Sequence, residues 1–266
     1  MTPRPRAPDA PSGGPRGGGN AAVPTERLQN LLAAAGLASR RGAAALLATG
    51  RVAVNGIPAT EPGLRIDPAR DRVTLDGRPV RPEPRHTYLA DKPRGILCTS
   101  RDPQGRPTIT DWAKTVGAPK TLRLYTVGRL DYDSEGLILL TNDGDLAQRL
   151  AHPSHHTEKE YRVWLDHLPD APRRRAILRG ILDRGEHLRA LAIHDDPPPS
   201  PKHPPSLRLV LGEGRNRHIR RLMSALGLRV LRLRRIRIGP LTEAHLRHRP
   251  LVPLSPTLLS TLLRTP

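Results

Sequence analysis

A polar segment that leads directly into an apolar run carries the side chains best suited to chemistry. Residues 128–136 read Gly-Arg-Leu-Asp-Tyr-Asp-Ser-Glu-Gly, and residues 137–141 read Leu-Ile-Leu-Leu-Thr. The apolar run predicts a buried strand that ends in a tight turn at Asn142-Asp143-Gly144. A loop fixed by such a strand commonly carries function, and a carboxylate at the rim of a core can act as a base or a nucleophile. On these residues alone, acids that merely solvate a turn are an equal alternative.

A second candidate segment, residues 212–227, begins with Gly-Glu-Gly-Arg-Asn-Arg and continues at helical spacing. Glycines open the predicted helix, and Gly227 closes it. Its apolar positions share one face and its arginines another flank: Ile219, Leu222, Met223 and Leu226, against Arg217, Arg220 and Arg221.

Two further candidates lie on predicted strands or beside them. Residues 159–165 alternate as a strand with Tyr161 on the apolar face, where a tyrosine is usually part of the core. Lys92 opens the turn Lys-Pro-Arg-Gly between predicted strands at residues 88–90 and 96–99. On sequence grounds Lys92 is equally a site residue, a phosphate contact or a charged turn residue.

Composition favours a polyanionic partner. The 266 residues carry 44 Lys and Arg against 25 Asp and Glu, a net charge of +19, and nucleic acid is the default partner for such a balance. No apolar run is long enough to span a bilayer, no basic amphipathic stretch favours a membrane surface, and no hydrophobic segment near the N-terminus predicts secretion. The single Cys98 indicates a reduced thiol, so a cytoplasmic protein is expected. Three histidines at 152, 155 and 156 do not complete a zinc ligand set, so no metal is expected.

Changes in composition and residue pattern divide the chain into five parts. Residues 1–23 are rich in Pro, Gly, Ala and Arg and predict a disordered basic tail. Residues 24–82 predict two short helices, the second capped by Ser39, followed by small strands with Asn-Gly and Asp-Gly turns. Residues 83–86 predict a Pro-rich linker, and residues 87–250 predict a larger second domain that includes a Pro-rich loop at 195–206. Residues 251–266 are expected to be a C-terminal tail with one short helix after Ser255.

Several motifs together resemble one enzyme family. Gly-Arg-Leu-Asp-x-x-Ser-x-Gly-Leu at 128–137 resembles the central motif of the pseudouridine synthases, in the RsuA/RluB-type branch that modifies bacterial ribosomal RNA. Lys-Pro-x-Gly at 92–95, Lys-x-Tyr-x-Val at 159–163 and Gly-Arg-Asn-Arg-x-x-Arg-Arg at 214–221 resemble further family motifs. Residues 102–108 resemble the RluB-type subgroup. Residues 24–82, with Ser39-Arg40-Arg41 and Val-x-Val-Asn-Gly, resemble the S4 RNA-binding domain.

The resemblance implies a fold and a set of site residues. The implied fold class is α+β: a small N-terminal S4 (α-L) RNA-binding domain followed by a mixed, mainly antiparallel-sheet catalytic domain. Asp131 is then the catalytic carboxylate, Tyr161 packs against the target base, and Arg220 pairs with Asp131. The residues implied or proposed to contact RNA are Arg129, Lys92, Arg40, Arg41, Arg51, Arg217 and Arg221.

The implied activity is isomerisation of a ribosomal RNA uridine, which needs no cofactor or metal. The expected substrate is 23S RNA, free or in an assembling subunit, and the expected protein is a cytoplasmic monomer with no DNA or membrane partner. Three alternatives stay open: a 16S RNA substrate, a non-catalytic ribosomal RNA-binding assembly factor, and a DNA-binding protein, although no recognition helix is identified. The sequence does not decide whether Asp131 removes a sugar proton or attacks C1′ or C6.

Overall fold

The computed structural model describes residues 25–151, 157–198, 200 and 202–264, without the side chains of Arg40 and Ala151. The predicted tail at residues 1–23 and the three clustered histidines lie outside these residues. The chain separates into two compact units, divided between Arg81 and Pro82. Each unit has its own hydrophobic core.

The N-terminal unit is a pair of helices with short strands. Its elements are β1 Glu26–Arg27, α1 Leu28–Ala34, α2 Arg40–Ala48, β2 Val52–Val54, β3 Ile57–Pro58, β4 Arg65–Ile66, β5 Val73–Leu75 and β6 Arg78–Pro79. Four strands form a sheet in the order β3-β2-β5-β6, and β1 pairs with β4. Leu28, Leu31 and Leu32 lie at helical spacing on one face of α1 and are buried in the core of this unit.

Local sequence signals account for these elements. The Ser39 hydroxyl accepts a hydrogen bond of 2.9 Å from the backbone N–H of Gly42 and so caps α2 as predicted. Asn55 and Gly56 have φ of 52° and 84°, which is the left-handed pair that a tight hairpin turn between β2 and β3 requires. Asp76 and Gly77 repeat this geometry between β5 and β6. The prediction of two helices followed by hairpin strands is confirmed.

The C-terminal unit contains most of the chain. Its strands are β7 Thr87–Lys92, β8 Tyr125–Val127, β9 Glu135–Thr141, β10 Lys159–Leu165, β11 Ile181–Asp183, β12 Glu186–Leu188, β13 Ala192–Asp196, β14 Ser206–Leu211, β15 Val230–Ile238, β16 Leu241–Thr242 and β17 Leu251–Pro253. Its helices are α3 Ile109–Thr115, α4 Gly144–Ala151, α5 Ala171–Arg179, α6 His218–Ala225 and α7 Pro256–Arg264, with a 3₁₀ turn at Glu243–Leu246.

One mixed sheet organises this unit. The strand order is β13-β14-β10-β15-β9-β7-β17, with β16 on β15 and β8 on β9, and every pairing is antiparallel except β9 with β15. One core cluster joins Ile138, Tyr161 and Val163 to the apolar face of α6. A second cluster joins Leu137 and Leu139 to α7. The predicted mixed, mainly antiparallel sheet is therefore confirmed.

Two local predictions were wrong. Residues 251–264 are not a tail, because β17 pairs with β7 and Leu262 of α7 is buried in the core; the short helix predicted after Ser255 is confirmed as α7. Residues 96–99 do not form a strand, and only Leu97 makes an isolated bridge, to Thr108. At Asn142-Asp143-Gly144, where a tight turn is predicted to end β9, the chain enters α4 directly, and the Asp143 carboxylate accepts hydrogen bonds from the N–H groups of Asp145 and Leu146.

The parallel contact between β9 and β15 depends on a glycine. Gly136 has φ of 101°, and it lies opposite Arg235 in the parallel register. A Cβ atom at this position would lie 2.2 Å from the backbone oxygen of Arg235. Backbone atoms of a central strand cannot yield as a flexible side chain can, so only glycine fits here.

We predict that Gly136→Ala destabilises the C-terminal unit by about 3 kcal/mol or more, from the clash and the left-handed backbone together. Gly117→Ala is the matched control, because Gly117 has φ of 114° and a Cβ atom added there would meet nothing within 4 Å; it should cost only about 1–2 kcal/mol. Urea unfolding followed by tryptophan fluorescence measures both, since Trp112 and Trp164 lie in this unit. Equal losses of stability for the two variants would contradict the close approach.

Candidate active site

Asp131 lies in the loop between β8 and β9, at the rim of the core. The preceding Leu130 is buried, and its backbone N–H donates to the Cys98 thiol at 3.3 Å, which fixes the loop against the segment after β7. The Asp131 carboxylate is half-buried and makes no hydrogen bond or ion pair with any residue that the structure describes. It lines a small cavity together with Arg129, Tyr161, Arg217 and His218. The structure thus places Asp131, Tyr161, Arg129 and Arg217 around one cavity, and the catalytic role of Asp131 stays a prediction.

Lys92 holds this loop from beneath. Its side chain is fully buried, and its ammonium donates to the backbone oxygens of Ser134 at 2.6 Å, Pro93 at 3.1 Å and Asp131 at 3.2 Å. Burial lowers the pKa of Lys92, and the nearby Asp133 and Asp131 oppose that shift. The prediction that Lys92 contacts RNA phosphate was wrong, because all of its donors are used inside the protein. It is a positioning residue for the loop.

Arg220 pairs with the neighbouring acid. Its Nε lies 3.1 Å from the Asp133 carboxylate, and its Nη2 donates to the Asp133 backbone oxygen at 3.0 Å. Arg217 also reaches the Asp133 carboxylate, at 3.3 Å. The predicted ion pair between Arg220 and Asp131 was wrong, because these contacts commit the guanidinium to Asp133. Asp131 nonetheless lies within the electrostatic field of Arg220.

Arg221 belongs to a structural ion-pair cluster. Its guanidinium pairs with the carboxylates of Asp183 and Glu186 and donates to the Asp183 backbone oxygen at 2.8 Å. Asp183 and Glu186 lie on β11 and β12, so this cluster ties α6 to that hairpin. Hydrogen bonds to both acids raise the pKa of Arg221. The prediction that Arg221 contacts RNA was wrong, because its charge is already neutralised.

Tyr161 lies against a buried guanidinium that sequence reasoning missed. Tyr161 is 7% exposed and Arg235 is 5% exposed. Arg235 donates from Nη1 to the Tyr161 hydroxyl at 3.4 Å and from Nε to the Leu137 backbone oxygen at 2.6 Å. A signal was available: two consecutive arginines, Arg234 and Arg235, interrupt the alternation of β15, so one of them has to point inward.

The other arginines of β15 do not present free charge to RNA. Arg232 pairs with Glu135 and lies 4.6 Å over the Trp164 ring, Arg234 pairs with Asp91 and Glu243, and Arg237 pairs with Glu158 and Glu160. These acids therefore neutralise much of the positive charge of the strand.

The remaining predicted RNA contacts are more exposed. Arg129 is exposed and lines the Asp131 cavity, and Arg217 is 46% exposed at its rim. In the N-terminal unit, Arg41 is exposed at the start of α2, whereas Arg51 pairs with Asp76. The side chain of Arg40 lies outside what the structure describes. These residues stay predictions.

The described part of the chain contains no candidate metal site and no candidate membrane-spanning helix. No group of three His, Cys, Asp or Glu residues there could hold a metal ion. None of the helices described is both long and apolar enough to cross a bilayer.

Comparisons with known proteins agree with this geometry. Residues 86–225 match the family model for RNA pseudouridylate synthase, and residues 26–71 match the S4 domain. The chain is 39% identical to "Ribosomal large subunit pseudouridine synthase B" of Bacillus subtilis, over 79% of this chain and 84% of that protein. It is 43% identical to an uncharacterized RNA pseudouridine synthase of Mycobacterium bovis, over 80% of this chain and 83% of that protein. A solved pseudouridylate synthase superposes with a TM-score of 0.60 at 28% identity, covering 89% of this chain and 99% of that one. The chain therefore belongs to the RNA pseudouridylate synthase family and is an isomerase with an S4 domain at its N-terminus.

Proposed function

We propose that this enzyme isomerises one uridine of large-subunit (23S) ribosomal RNA to pseudouridine, with Asp131 as the catalytic carboxylate. The observation that carries the proposal is the unpaired Asp131 carboxylate in a cavity lined by Tyr161 and by the arginines Arg129 and Arg217. The large-subunit substrate rests on the printed name of the Bacillus subtilis relative.

The chemistry requires an acid that is free to react. Pseudouridine formation breaks the C1′–N1 bond, turns the uracil and joins C1′ to C5. A carboxylate locked in an ion pair is a poor base and a poor nucleophile, whereas Asp131 keeps both oxygens available. Asp133 takes the contacts of Arg217 and Arg220 instead. Removal of a sugar proton, attack at C1′ and attack at C6 all use this free carboxylate.

The positions of Tyr161 and Arg129 fit complementary roles around the base. The Tyr161 ring is held rigidly by the core and by Arg235, so it offers a fixed surface against which a uracil can pack. Arg129 is exposed at the same cavity, two residues before Asp131. A target uridine must leave its stack to reach Asp131, and Arg129 is placed to enter the space that it leaves.

The N-terminal unit supplies a separate contact to RNA. Arg41 is exposed at the start of α2, where free N–H groups and the helix dipole also favour phosphate. The proposed enzyme is a monomer whose partner is ribosomal RNA, free or in an assembling subunit, and not DNA.

We predict that Asp131→Asn abolishes turnover while RNA affinity changes little. The amide keeps the shape of the side chain but loses its charge and basicity, and one loop charge contributes little to binding a polyanion. Carbodiimide-dependent reverse-transcription stops on both 23S and 16S ribosomal RNA measure the product, with each variant as the sole enzyme in a deletion strain. A new stop on 16S RNA alone would reassign the substrate.

Asp133→Asn is the matched control for the acidic loop. It removes the same charge two residues away and loosens Arg217 and Arg220, so turnover should fall only in part. Stops that persist at wild-type level with a folded Asp131→Asn enzyme would refute the catalytic assignment. Complete loss in Asp133→Asn together with retention in Asp131→Asn would exchange the two roles.

We predict that Lys92→Met lowers kcat and destabilises the C-terminal unit by about 1–3 kcal/mol, because buried carbonyl oxygens lose their donor. The KM for RNA should stay near the wild-type value, since Lys92 is fully buried. Urea unfolding and steady-state turnover measure the two effects. Lys120→Met, at an exposed position, is the control for the loss of one charge. A rise in KM at unchanged kcat would instead indicate a direct contact with RNA.

We predict that Arg41→Gln weakens RNA binding and reduces the slope of log K against log salt concentration by about 0.7–0.9, the value for one released counterion. Arg70→Gln removes the same charge from another exposed position of the same unit and should leave the slope nearly unchanged. Filter binding of ribosomal RNA between low and physiological salt provides the slopes. Identical slopes for wild type and Arg41→Gln would exclude a phosphate contact at α2.

A further inference from the structure

A second cavity lies beside the Asp131 cavity, where two strands separate. β9 and β15 pair at only two positions, Glu135 with Arg234 and Gly136 with Arg235, and beyond them each strand pairs with other neighbours. A cavity of about 310 Å³ lies here, lined by Leu139 of β9 and by Arg235 and Ile238 of β15. This volume is at the lower end of the range for pockets that bind small molecules, about 300–1,000 Å³.

Two cations in this cavity lack acidic partners. The Lys159 ammonium makes no ion pair or hydrogen bond with any residue that the structure describes, although Lys159 is half-buried. Arg235 is almost fully buried, and its Nη2 is shielded from solvent without a hydrogen-bond acceptor. Burial and the charge of Arg235 both lower the pKa of Lys159. Like charges held together without an acid are costly, so this pair indicates an anion that binds between or above them.

The position of the cations relates them to the reacting base. Lys159 precedes Tyr161 by two residues on β10, so both side chains leave the strand on the same side. Arg129 and Tyr161 line both cavities, and therefore the second cavity opens beside the place proposed for the uracil. Arg215 also lines it but is already paired with Glu213. The two cations that lack an acidic partner thus lie in a cavity that shares Arg129 and Tyr161 with the Asp131 cavity.

We propose that Lys159 and Arg235 form a phosphate site that holds the RNA backbone at the target nucleotide. Lys159 contacts the phosphate oxygens directly, and the Arg235 guanidinium adds positive charge from beneath. This proposal rests on the proposed function and extends it: Lys159 and Arg235 bind the phosphodiester of the target nucleotide and not its base. A carbonyl oxygen of the uracil is the competing ligand, and free inorganic phosphate is a second source of the same chemistry.

The test compares three probes on the full-length protein by isothermal titration calorimetry at fixed low ionic strength: uridine 3′,5′-bisphosphate, uridine and inorganic phosphate. We expect the wild-type protein to bind the bisphosphate about tenfold more tightly than uridine, because one charge-assisted contact is gained. Lys159→Met should reduce this preference to about twofold, and Lys159→Arg should retain most of it. Lys120→Met, an exposed charge loss, should behave as wild type.

Each other outcome overturns the phosphate site. The phosphate site is refuted if the wild-type protein binds uridine and its bisphosphate equally. It is also refuted if the Lys159→Met protein keeps the wild-type preference for the bisphosphate. Equal weakening of both ligands in Lys159→Met would assign the cations to the base. Inorganic phosphate that binds as tightly as the bisphosphate would indicate a free-phosphate site, and loss of the preference in Lys159→Arg would indicate a structural role. Turnover on ribosomal RNA is measured separately, so a protein with the preference but no turnover would refute the proposed function alone.

Discussion

The architecture of this enzyme depends on the approach of two backbones at one residue. β9 and β15 run parallel and pair at only two positions, and at one of them a single methyl group on Gly136 would collide with the Arg235 backbone oxygen. The loop that carries Asp131 leads into β9, while β15 carries the guanidinium beside Tyr161. The contact therefore links the strand that follows the acid to the strand that supports the ring. A glycine that seemed to belong to a loop motif thus controls the geometry of the site.

The loop itself is arranged by a division of labour between charged groups. Lys92 donates hydrogen bonds to three backbone oxygens, and the Asp133 carboxylate pairs with Arg217 and Arg220. The positive charges of these three residues are therefore engaged by groups other than the Asp131 carboxylate. Because Asp133 forms the ion pairs with the nearby arginines, the Asp131 carboxylate, two residues away, stays unpaired. The same ion pairs that fix the loop therefore leave its central acid free.

The elements of this fold were largely predictable, and the partners of its charged side chains were not. Hydrophobic periodicity located β9, β10 and α6, and the Asn-Gly and Asp-Gly pairs located the hairpins of the N-terminal unit. The partners of Arg220, Arg221 and Lys92 were predicted wrongly. Hydrophobic periodicity says nothing about which charged groups meet, and each partner lies on a segment distant in sequence. The strand at Leu251–Pro253 was missed for a related reason: its partner strand, Thr87–Lys92, lies at the opposite end of the domain in sequence.

The cross-strand pairs of β15 have a consequence for how a polyanion meets this enzyme. Arg232 pairs with Glu135 of β9, Arg234 with Asp91 of β7 and Arg237 with Glu158 just before β10, so this part of the sheet has many charges but little net charge. An RNA backbone placed against these pairs would release few counterions. Arg129, exposed at the Asp131 cavity, keeps its attraction for a polyanion. The arrangement is therefore expected to concentrate electrostatic attraction at the mouth of the cavity and not along β15.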